Sequence, residues 1–164
     1  MSVREIRLFG DPILKTKTKP VRNLEYAHQL VEDLLETVAL PGRAGVAANQ
    51  IGVGLSVFAY NVDGELGYLI NPEITLLSGE KQLIEEGCLS VPGLWHRAPR
   101  FPEATATGYQ LDGSKIEIAG TGLLAQALQH ECDHLAGKTY LDRLEPTERK
   151  IAFKELRSQK WFLG

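Results

Sequence analysis

The chain has few cysteines and no long apolar run, and both features limit the classes of protein to which it can belong. Its two cysteines, Cys88 and Cys132, are too few for a disulfide framework and favour a reducing, cytoplasmic setting. No stretch approaches the roughly 20 apolar residues that span a bilayer, and the N-terminus has no apolar signal core. The net charge of −3 shows that basic residues are not in excess. This argues against a groove that binds nucleic acid. We therefore expect a cytoplasmic protein that binds neither membrane nor nucleic acid.

The pattern His-Glu-x-x-His at residues 130–134 is the strongest chemical signal in the chain. Residues i and i+4 of an α-helix lie about 40° apart in projection, so His130 and His134 can bind one metal ion together. Glu131 is offset by about 100° and can address a water on that ion without displacing it. The pattern therefore predicts a helical metal site with a carboxylate base, although two histidines do not complete such a site.

A third metal ligand must come from elsewhere in the chain. Cys132 lies about 200° from both histidines around the helix and is predicted to pack as a small buried thiol. His28 is predicted to be a solvated surface residue, and His96 lies in a loop-like stretch that assigns it no role. Cys88 is the stronger candidate, because a thiolate with two imidazoles leaves an open position for water, as catalytic sites require. Such a ligand set suits Fe(II), Zn(II), Ni(II) or Co(II).

Composition predicts a single domain over residues 1–164. The chain is 43% hydrophobic and 24% charged, shows no repeat or linker, and is long enough to enclose one core. Strands come first and a long buried helix comes late. This order predicts an α+β fold, with short mixed or antiparallel sheets packed around a central metal-binding helix and with a C-terminal helix.

The predicted helices are 24–39, 121–137 and 146–160, and the predicted strands are 55–60, 67–70, 73–77, 82–86, 105–110 and 115–118. The apolar face of the first helix is predicted to comprise Tyr26, Leu30, Leu34 and Val38. The metal-binding helix is expected to begin after Thr121 as N-cap and to end at Gly137 in a left-handed conformation.

Three separated segments resemble the peptide deformylase family. They are Gly-Val-Ala-Ala-Asn-Gln-Ile-Gly at 45–52, Glu-Gly-Cys-Leu-Ser at 86–90 and Gln-His-Glu-Cys-Asp-His-Leu at 129–135. Their order and spacing are similar to the family's, and the likeness extends over the whole chain. The resemblance implies a metal-dependent hydrolase that removes the N-formyl group from the N-terminal formylmethionine of newly made polypeptides. It also implies one divalent metal ion, Fe(II) in vivo.

The resemblance assigns roles to the central residues. The implied metal ligands are Cys88, His130 and His134. Glu131 is implied as the general base, which takes a proton from a metal-activated water and later delivers it to the leaving amine. The side-chain amide of Gln50 and the backbone N–H of Leu89 are implied as donors to the oxyanion of the tetrahedral intermediate.

A substrate pocket beside the metal is also predicted. Its predicted residues are Ala44, Gly45, Ile84, Glu86, Leu123, Gln126 and Ala127. For each of the pocket walls, ordinary core packing is an alternative interpretation. Arg100 is implied as the ion-pair partner of Glu86, a pair that would support the metal ligands.

Residue 43 departs from the family pattern, which has glycine there where this chain has Arg43. An arginine disfavours φ > 0 and places a long cationic side chain near the expected substrate channel. We expect Gly42 to take over the turn and catalysis to survive. The alternative is a deformylase-like enzyme whose substrate range Arg43 has altered.

Two further classes compete with this interpretation. A zincin-type metallopeptidase shares His-Glu-x-x-His but normally takes its third ligand downstream, as Glu or His. A structural metal site in a binding module would have four protein ligands, whereas only three are predicted to converge here. The implied partners are N-formylmethionyl nascent peptides, met near the ribosomal exit tunnel, and the protein is expected to be a monomer.

Overall fold

A computed structural model describes residues 2–163, which form an α+β fold as predicted. Its α-helices are α1 (His28–Val38), α2 (Gly122–Leu135), α3 (Pro146–Arg157) and α4 (Lys160–Leu163). Its strands are β1 (Gly45–Ala47), β2 (Val57–Val62), β3 (Glu65–Ser78), β4 (Gln82–Glu86), β5 (His96–Arg100), β6 (Glu103–Tyr109) and β7 (Lys115–Thr121). Short 3-10 helices cover Pro12–Lys15, Leu24–Ala27, Ala48–Ile51 and Tyr140–Arg143. None of the helices in the described chain has the length and apolar character of a membrane span.

The strands form two antiparallel sheets. The larger sheet has the order β1-β2-β3-β6-β7, and the smaller one pairs β4 with β5. Strand β3 is continuous where two strands, 67–70 and 73–77, were predicted. At the predicted break, the pairing of β3 with β6 shifts in register between Ile70 and Glu73. Asn71, within this stretch, adopts φ of 51°. The side chain of Asn71 bonds the backbone of Val21 in both directions, which holds this bend in place.

Helix α2 lies at the centre of the fold and contacts β1, β2, β3, β6 and β7. Its apolar side includes Leu128, which is fully buried against the sheet in one cluster with Phe58 and Ala106. The helix starts after Thr121 and is stopped near Gly137, whose φ is 82°, so both predicted ends are close to the observed ones. A Cβ at Gly137 would also lie 2.7 Å from the carbonyl oxygen of Lys15. The conformation and the close approach both require glycine there.

Several predicted elements are corrected by the structure. The first α-helix starts at His28, because Leu24–Ala27 forms a 3-10 turn, and Tyr26 is 80% exposed instead of lying on the apolar face. The final predicted helix, 146–160, corresponds to α3 but ends at Arg157, and the separate short helix α4 follows it. Strands β1 and β5 were not predicted.

His96 is not a loop residue, as its sequence context suggested, but a buried residue of β5. Its two ring nitrogens lie 2.7 Å from a carboxylate oxygen of Glu148 and 3.1 Å from one of Glu155. Both glutamates belong to α3. These contacts join α3 to the smaller sheet.

Candidate metal centre

Three side chains from two distant parts of the chain converge beside α2. Cys88 follows β4 in a loop, and His130 and His134 occupy successive turns of α2. The Sγ atom of Cys88 lies 3.3 Å from Nε2 of His134. The same Nε2 atom lies 3.1 Å from Nε2 of His130. One ligand atom from each residue falls within 4.8 Å of the others. The structure thus brings together the three residues that the sequence nominated as ligands.

The donor set fits a divalent transition-metal ion. Nδ1 of His130 lies 2.6 Å from Oε2 of Glu86. Because a carboxylate oxygen accepts, the neutral ring carries its proton on Nδ1 and has a lone pair on Nε2. That lone pair faces Nε2 of His134 and the Cys88 sulfur, and buried acceptors facing one another require a shared cation or protons. Two imidazoles and a thiolate are the ligands that borderline and soft divalent metals prefer.

Cys132, also half-buried, takes no part in this cluster. It packs with the apolar cluster on another side of α2, and burial raises the pKa of its thiol to about 12. A neutral thiol is a poor ligand and a poor nucleophile. The structure therefore agrees with the prediction that Cys132 points away from the ion.

Glu131 lies beside the ligand cluster. Its carboxylate is buried, with Oε2 lying 3.9 Å from Nε2 of His130. Burial is the main cause that raises the pKa of Glu131 to about 7, and the charges of Glu86 and Asp133 add to it, while His130 and Arg100 oppose it. A carboxyl group with such a pKa can accept a proton and return it near neutral pH.

Gly45 makes room for this carboxylate. A Cβ atom built on Gly45 would lie 2.5 Å from Oε2 of Glu131, so any side chain there would push the carboxylate aside. Strand β1 can pass this close to α2 only because residue 45 lacks a side chain.

A charged network supports the opposite side of His130. Arg100 donates from Nε and Nη2 to the two carboxylate oxygens of Glu86, at 2.9 and 2.7 Å. Its Nη1 donates to Asp133 at 2.7 Å, and Arg143 donates to the same aspartate at 2.8 and 3.1 Å. Burial alone would raise the pKa of Glu86, but hydrogen bonds and charge from Arg100 and His130 lower it to about 2.

Asp133 and Arg143 had no predicted role. Asp133 stands beside a ligand in sequence, which could have marked it for attention. Its link to Arg100 and Arg143 joins three elements and could not be found by local spacing.

The side-chain amide of Gln50 is held at both ends. Its Oε1 accepts the backbone N–H of Ala47 at 3.0 Å, and its Nε2 donates to Oγ of Ser90 at 3.0 Å. The same Nε2 lies 3.7 Å from the Cys88 sulfur, so the amide N–H groups face the ligand cluster. Leu89, between Cys88 and Ser90, lines the adjoining cavity. Sequence reasoning assigned Ser90 no role.

A cavity of about 670 Å³ opens beside these groups. The predicted pocket residues that line it are Ala44, Gly45, Glu86, Leu123, Gln126 and Ala127. Ile84 is half-buried on β4 and is not among the lining residues in the part of the chain described, so its role stays a prediction. Trp95, which the sequence did not nominate, lines the mouth at 65% exposure with its ring against Gly87.

Arg43 also lines this cavity, and its turn is made by its neighbour. Gly42 has φ of 81°, whereas the non-glycine residues with positive φ in the described chain are Asp63 and Asn71 alone. Gly42 thus takes over the turn, as expected. Nη1 of Arg43 donates to the carbonyl oxygen of Thr37 at 3.0 Å, near the end of α1. Arginine at this position therefore satisfies one of the last carbonyls of that helix.

Comparison with known proteins agrees with this geometry. The family model for polypeptide deformylase matches residues 3–150. The chain is 46% identical over 162 residues to a peptide deformylase of Acidothermus cellulolyticus, covering 98% of this chain and 89% of the relative. It is 39% identical to peptide deformylase 1 of Corynebacterium efficiens, covering 99% of each chain.

Solved structures are similar too. A peptide deformylase from Legionella pneumophila superposes with a TM-score of 0.88 at 36% identity, covering 98% of this chain and 97% of the other. The peptide deformylase from Thermus thermophilus superposes with a TM-score of 0.88 at 33% identity, covering 96% of this chain and 95% of the other.

Proposed function

The chain belongs to the polypeptide deformylase family, and we propose that Cys88, His130 and His134 hold the metal ion on which this metal-dependent family relies. It is an enzyme that hydrolyses the formyl group from N-formylmethionine peptides. The observation that carries the site assignment is the convergence of one sulfur and two ring nitrogens within 4.8 Å, with a buried carboxylate beside them.

Glu131 moves the proton in this proposal. A divalent cation bound by the three ligands would polarise the formyl carbonyl and make the attacking water more acidic. The carboxylate of Glu131 accepts the proton that this water loses and returns it to the departing amine, which leaves formate and a free N-terminus. Its carboxylate lines the cavity and lies 3.9 Å from Nε2 of His130, which places it beside the water that the ligand cluster would hold.

Gln50 and Leu89 stabilise the oxyanion in this proposal. The Nε2–H₂ group of Gln50 faces the ligand cluster because its Oε1 is occupied by the Ala47 N–H. The backbone N–H of Leu89 adjoins Cys88, so the ligand loop also supplies the second donor. Donors set in place before the reaction stabilise developing negative charge without rearrangement.

The cavity is proposed to receive the start of the nascent peptide. Leu123, which is 48% exposed, and the buried Ala127 both line the cavity from α2 and form an apolar wall for the methionine side chain. Gly45 and Ala44 bring the β1 backbone close to the substrate chain. Gln126 reaches across to Glu86, with its Nε2 lying 3.3 Å from Oε1 of that residue, and closes the inner end.

The finer assignments are proposals of the same kind. A thiolate with two imidazoles suits Fe(II), which we propose as the ion in vivo, with Zn(II), Ni(II) or Co(II) as substitutes. We place this single catalytic domain, residues 1–164, in the cytoplasm as a monomer that acts on chains emerging from the ribosome. The few cysteines and the modest net charge support that setting.

The experiment is anaerobic purification, metal analysis and a formate-release assay. We expect about one metal ion per chain, and formate released from a formyl-Met peptide with its peptide bonds left intact. Cleavage of an unblocked peptide with formyl retained on the blocked one would instead identify a zincin-type peptidase. A Cys88→Ala variant should lose both metal and turnover. Full metal content in that variant would contradict the ligand assignment.

A further inference from the structure

We propose that Ser90 is a positioning residue, whose hydroxyl orients the Gln50 amide toward the reacting carbonyl. This inference rests on the proposed role of Gln50 as an oxyanion donor. The hydroxyl oxygen accepts a hydrogen bond from Nε2 of Gln50 at 3.0 Å. Both residues are buried, with 0% of Ser90 and 1% of Gln50 exposed. The contact is therefore shielded from bulk solvent.

A glutamine amide needs such a partner. The terminal torsion of glutamine is broad and nearly two-fold, so the side chain alone does not decide which end faces the cavity. In this protein the Ala47 N–H selects the oxygen end, and Ser90 Oγ accepts one of the two N–H groups at the other end. The second N–H points to the Cys88 sulfur, to which Nε2 donates at 3.7 Å, and this is the side on which we propose that the carbonyl binds. Ser90, together with the Ala47 N–H, thus fixes the direction of the donor without touching the substrate.

The backbone holds Ser90 itself in place. Its carbonyl oxygen accepts the N–H of Phe9 at 2.7 Å, and the N–H of Val91 bonds the carbonyl of Cys88 at 2.9 Å. The turn 88–91 therefore carries three functions in successive residues: the ligand Cys88, the proposed backbone donor of Leu89 and the orienting hydroxyl of Ser90. One rigid turn can then align ligand and oxyanion donors together.

A double-mutant cycle tests the proposal. With a formyl-Met peptide as substrate, Gln50→Ala should lower kcat by about 10²–10³-fold, the usual cost of one lost oxyanion donor. Ser90→Ala should lower kcat by about 10–100-fold, since the donor stays but is misaligned, with KM changed by less than about threefold. In the Gln50→Ala background, Ser90→Ala should cost less than about twofold more. Equal losses in both backgrounds would overturn the proposal.

A second measurement separates positioning from a merely structural role. The Gln50 side-chain N–H₂ resonances, assigned from their absence in Gln50→Ala, should shift and exchange faster with water in Ser90→Ala. The control is Thr37→Val, which removes another fully buried hydroxyl. Thr37 lies on α1, and its hydroxyl accepts the backbone N–H of Arg4. That variant should leave these resonances and kcat unchanged. Unmoved Gln50 resonances in Ser90→Ala would refute the contact.

The two levels of the proposal fail in different ways. If the wild-type enzyme with full metal content released no formate, the proposed site function would fall, while the resonance test would still decide whether Ser90 orients Gln50. Metal content in Ser90→Ala should equal that of the wild type. If it falls with the activity, Ser90 supports the Cys88 ligand and the positioning role is wrong.

Discussion

Two glutamates flank His130, and their surroundings shift their pKa values in opposite directions. Oε2 of Glu86 lies 2.6 Å from Nδ1 of the imidazole, and Oε2 of Glu131 lies 3.9 Å from Nε2. Both carboxylates are buried, yet the pKa of Glu86 is lowered to about 2 and that of Glu131 is raised to about 7.

The difference comes from hydrogen-bond donors. Glu86 accepts two bonds from the Arg100 guanidinium and one from His130, and these outweigh the cost of burial. In the described chain Oε1 of Glu131 has no hydrogen-bond partner, so desolvation dominates. One carboxylate is thus held ionised as a support, and the other is free to exchange a proton.

The largest effect should follow from removing the proton carrier. Glu131→Gln keeps the shape of the side chain but abolishes its basicity, so kcat should fall by about 10²–10⁴-fold. Metal content should stay at the wild-type level, since Glu131 is not a ligand in our assignment. Formate release and metal analysis on the same preparation check both points, and substantial activity in this variant would contradict the general-base role.

Displacing the base without removing it should have a smaller effect. Gly45→Ala introduces a Cβ where Oε2 of Glu131 lies 2.5 Å away, and a displaced carboxylate should lower kcat by up to about 100-fold. The matched control is Gly54→Ala, because a Cβ there meets no atom within 4 Å. Equal kcat values for both variants would show that the spacing between β1 and Glu131 is unimportant.

Neutralising the supporting glutamate should affect the metal more than the proton transfer. Glu86→Gln weakens the hold on the His130 ring and leaves the buried Arg100 short of one counter-charge, so metal affinity should fall by about 10–100-fold. Competition with a chelator gives this number. Glu117→Gln, an exposed glutamate of β7, serves as control and should bind metal normally. Unchanged metal affinity in Glu86→Gln would contradict the assignment of Glu86 as the support of the metal ligands and of Glu131 as the base.

The two pKa shifts should give stability slopes of opposite sign in metal-free protein. The lowered pKa of Glu86 contributes stability that is present above about 4.5 and is lost as pH falls toward about 2. The raised pKa of Glu131 makes the folded state bind a proton that the unfolded state releases, so the contribution of Glu131 to stability declines as pH rises from about 4.5 to about 7.

Urea unfolding across this pH range measures both slopes. Glu86→Gln should reduce the dependence of the unfolding free energy on pH below about 4.5. Glu131→Gln should reduce that dependence between about pH 4.5 and 7. If either variant kept the wild-type slope in its own pH range, the corresponding glutamate would not be the group responsible.

The smallest effect is expected at the cavity rim. Arg43→Gly loses the hydrogen bond to the Thr37 carbonyl and should cost about 0.5–1.5 kcal/mol in unfolding free energy. Because the turn is made by Gly42, kcat/KM on a formyl-Met peptide should change by less than about tenfold. Arg22→Gly, an exposed arginine, is the comparison. A larger change in kcat/KM would show that Arg43 contacts substrate directly.

Prediction from sequence succeeded where the signal was local. Predicted strand 82–86 coincides with β4, and the metal helix was placed within two residues at each end. Strand β5 was missed because it contains Pro99 and two arginines, which resemble a loop until pairing with β4 is known. Tyr26 was misplaced because helical spacing does not reveal that a 3-10 turn precedes α1.

The sequence by itself determined which residues the proposed chemistry uses. Helix periodicity places His130 and His134 on one face with Glu131 beside them, since the geometry of an α-helix is the same in any fold. The resemblance in three short segments pointed to the thiol as third ligand. These conclusions needed no knowledge of the tertiary contacts.

Only the tertiary structure decided how each of these groups behaves. Whether a carboxylate is ionised depends on the donors around it, and Arg100 reaches Glu86 from the neighbouring strand of the smaller sheet. Ser90 and Gln50 meet from segments that are 40 residues apart in sequence. Such contacts arise from packing and chain closure rather than from the period of any one element. The Glu86–Arg100 pair was predicted from the family resemblance, whereas nothing in the local sequence indicated the contact between Ser90 and Gln50.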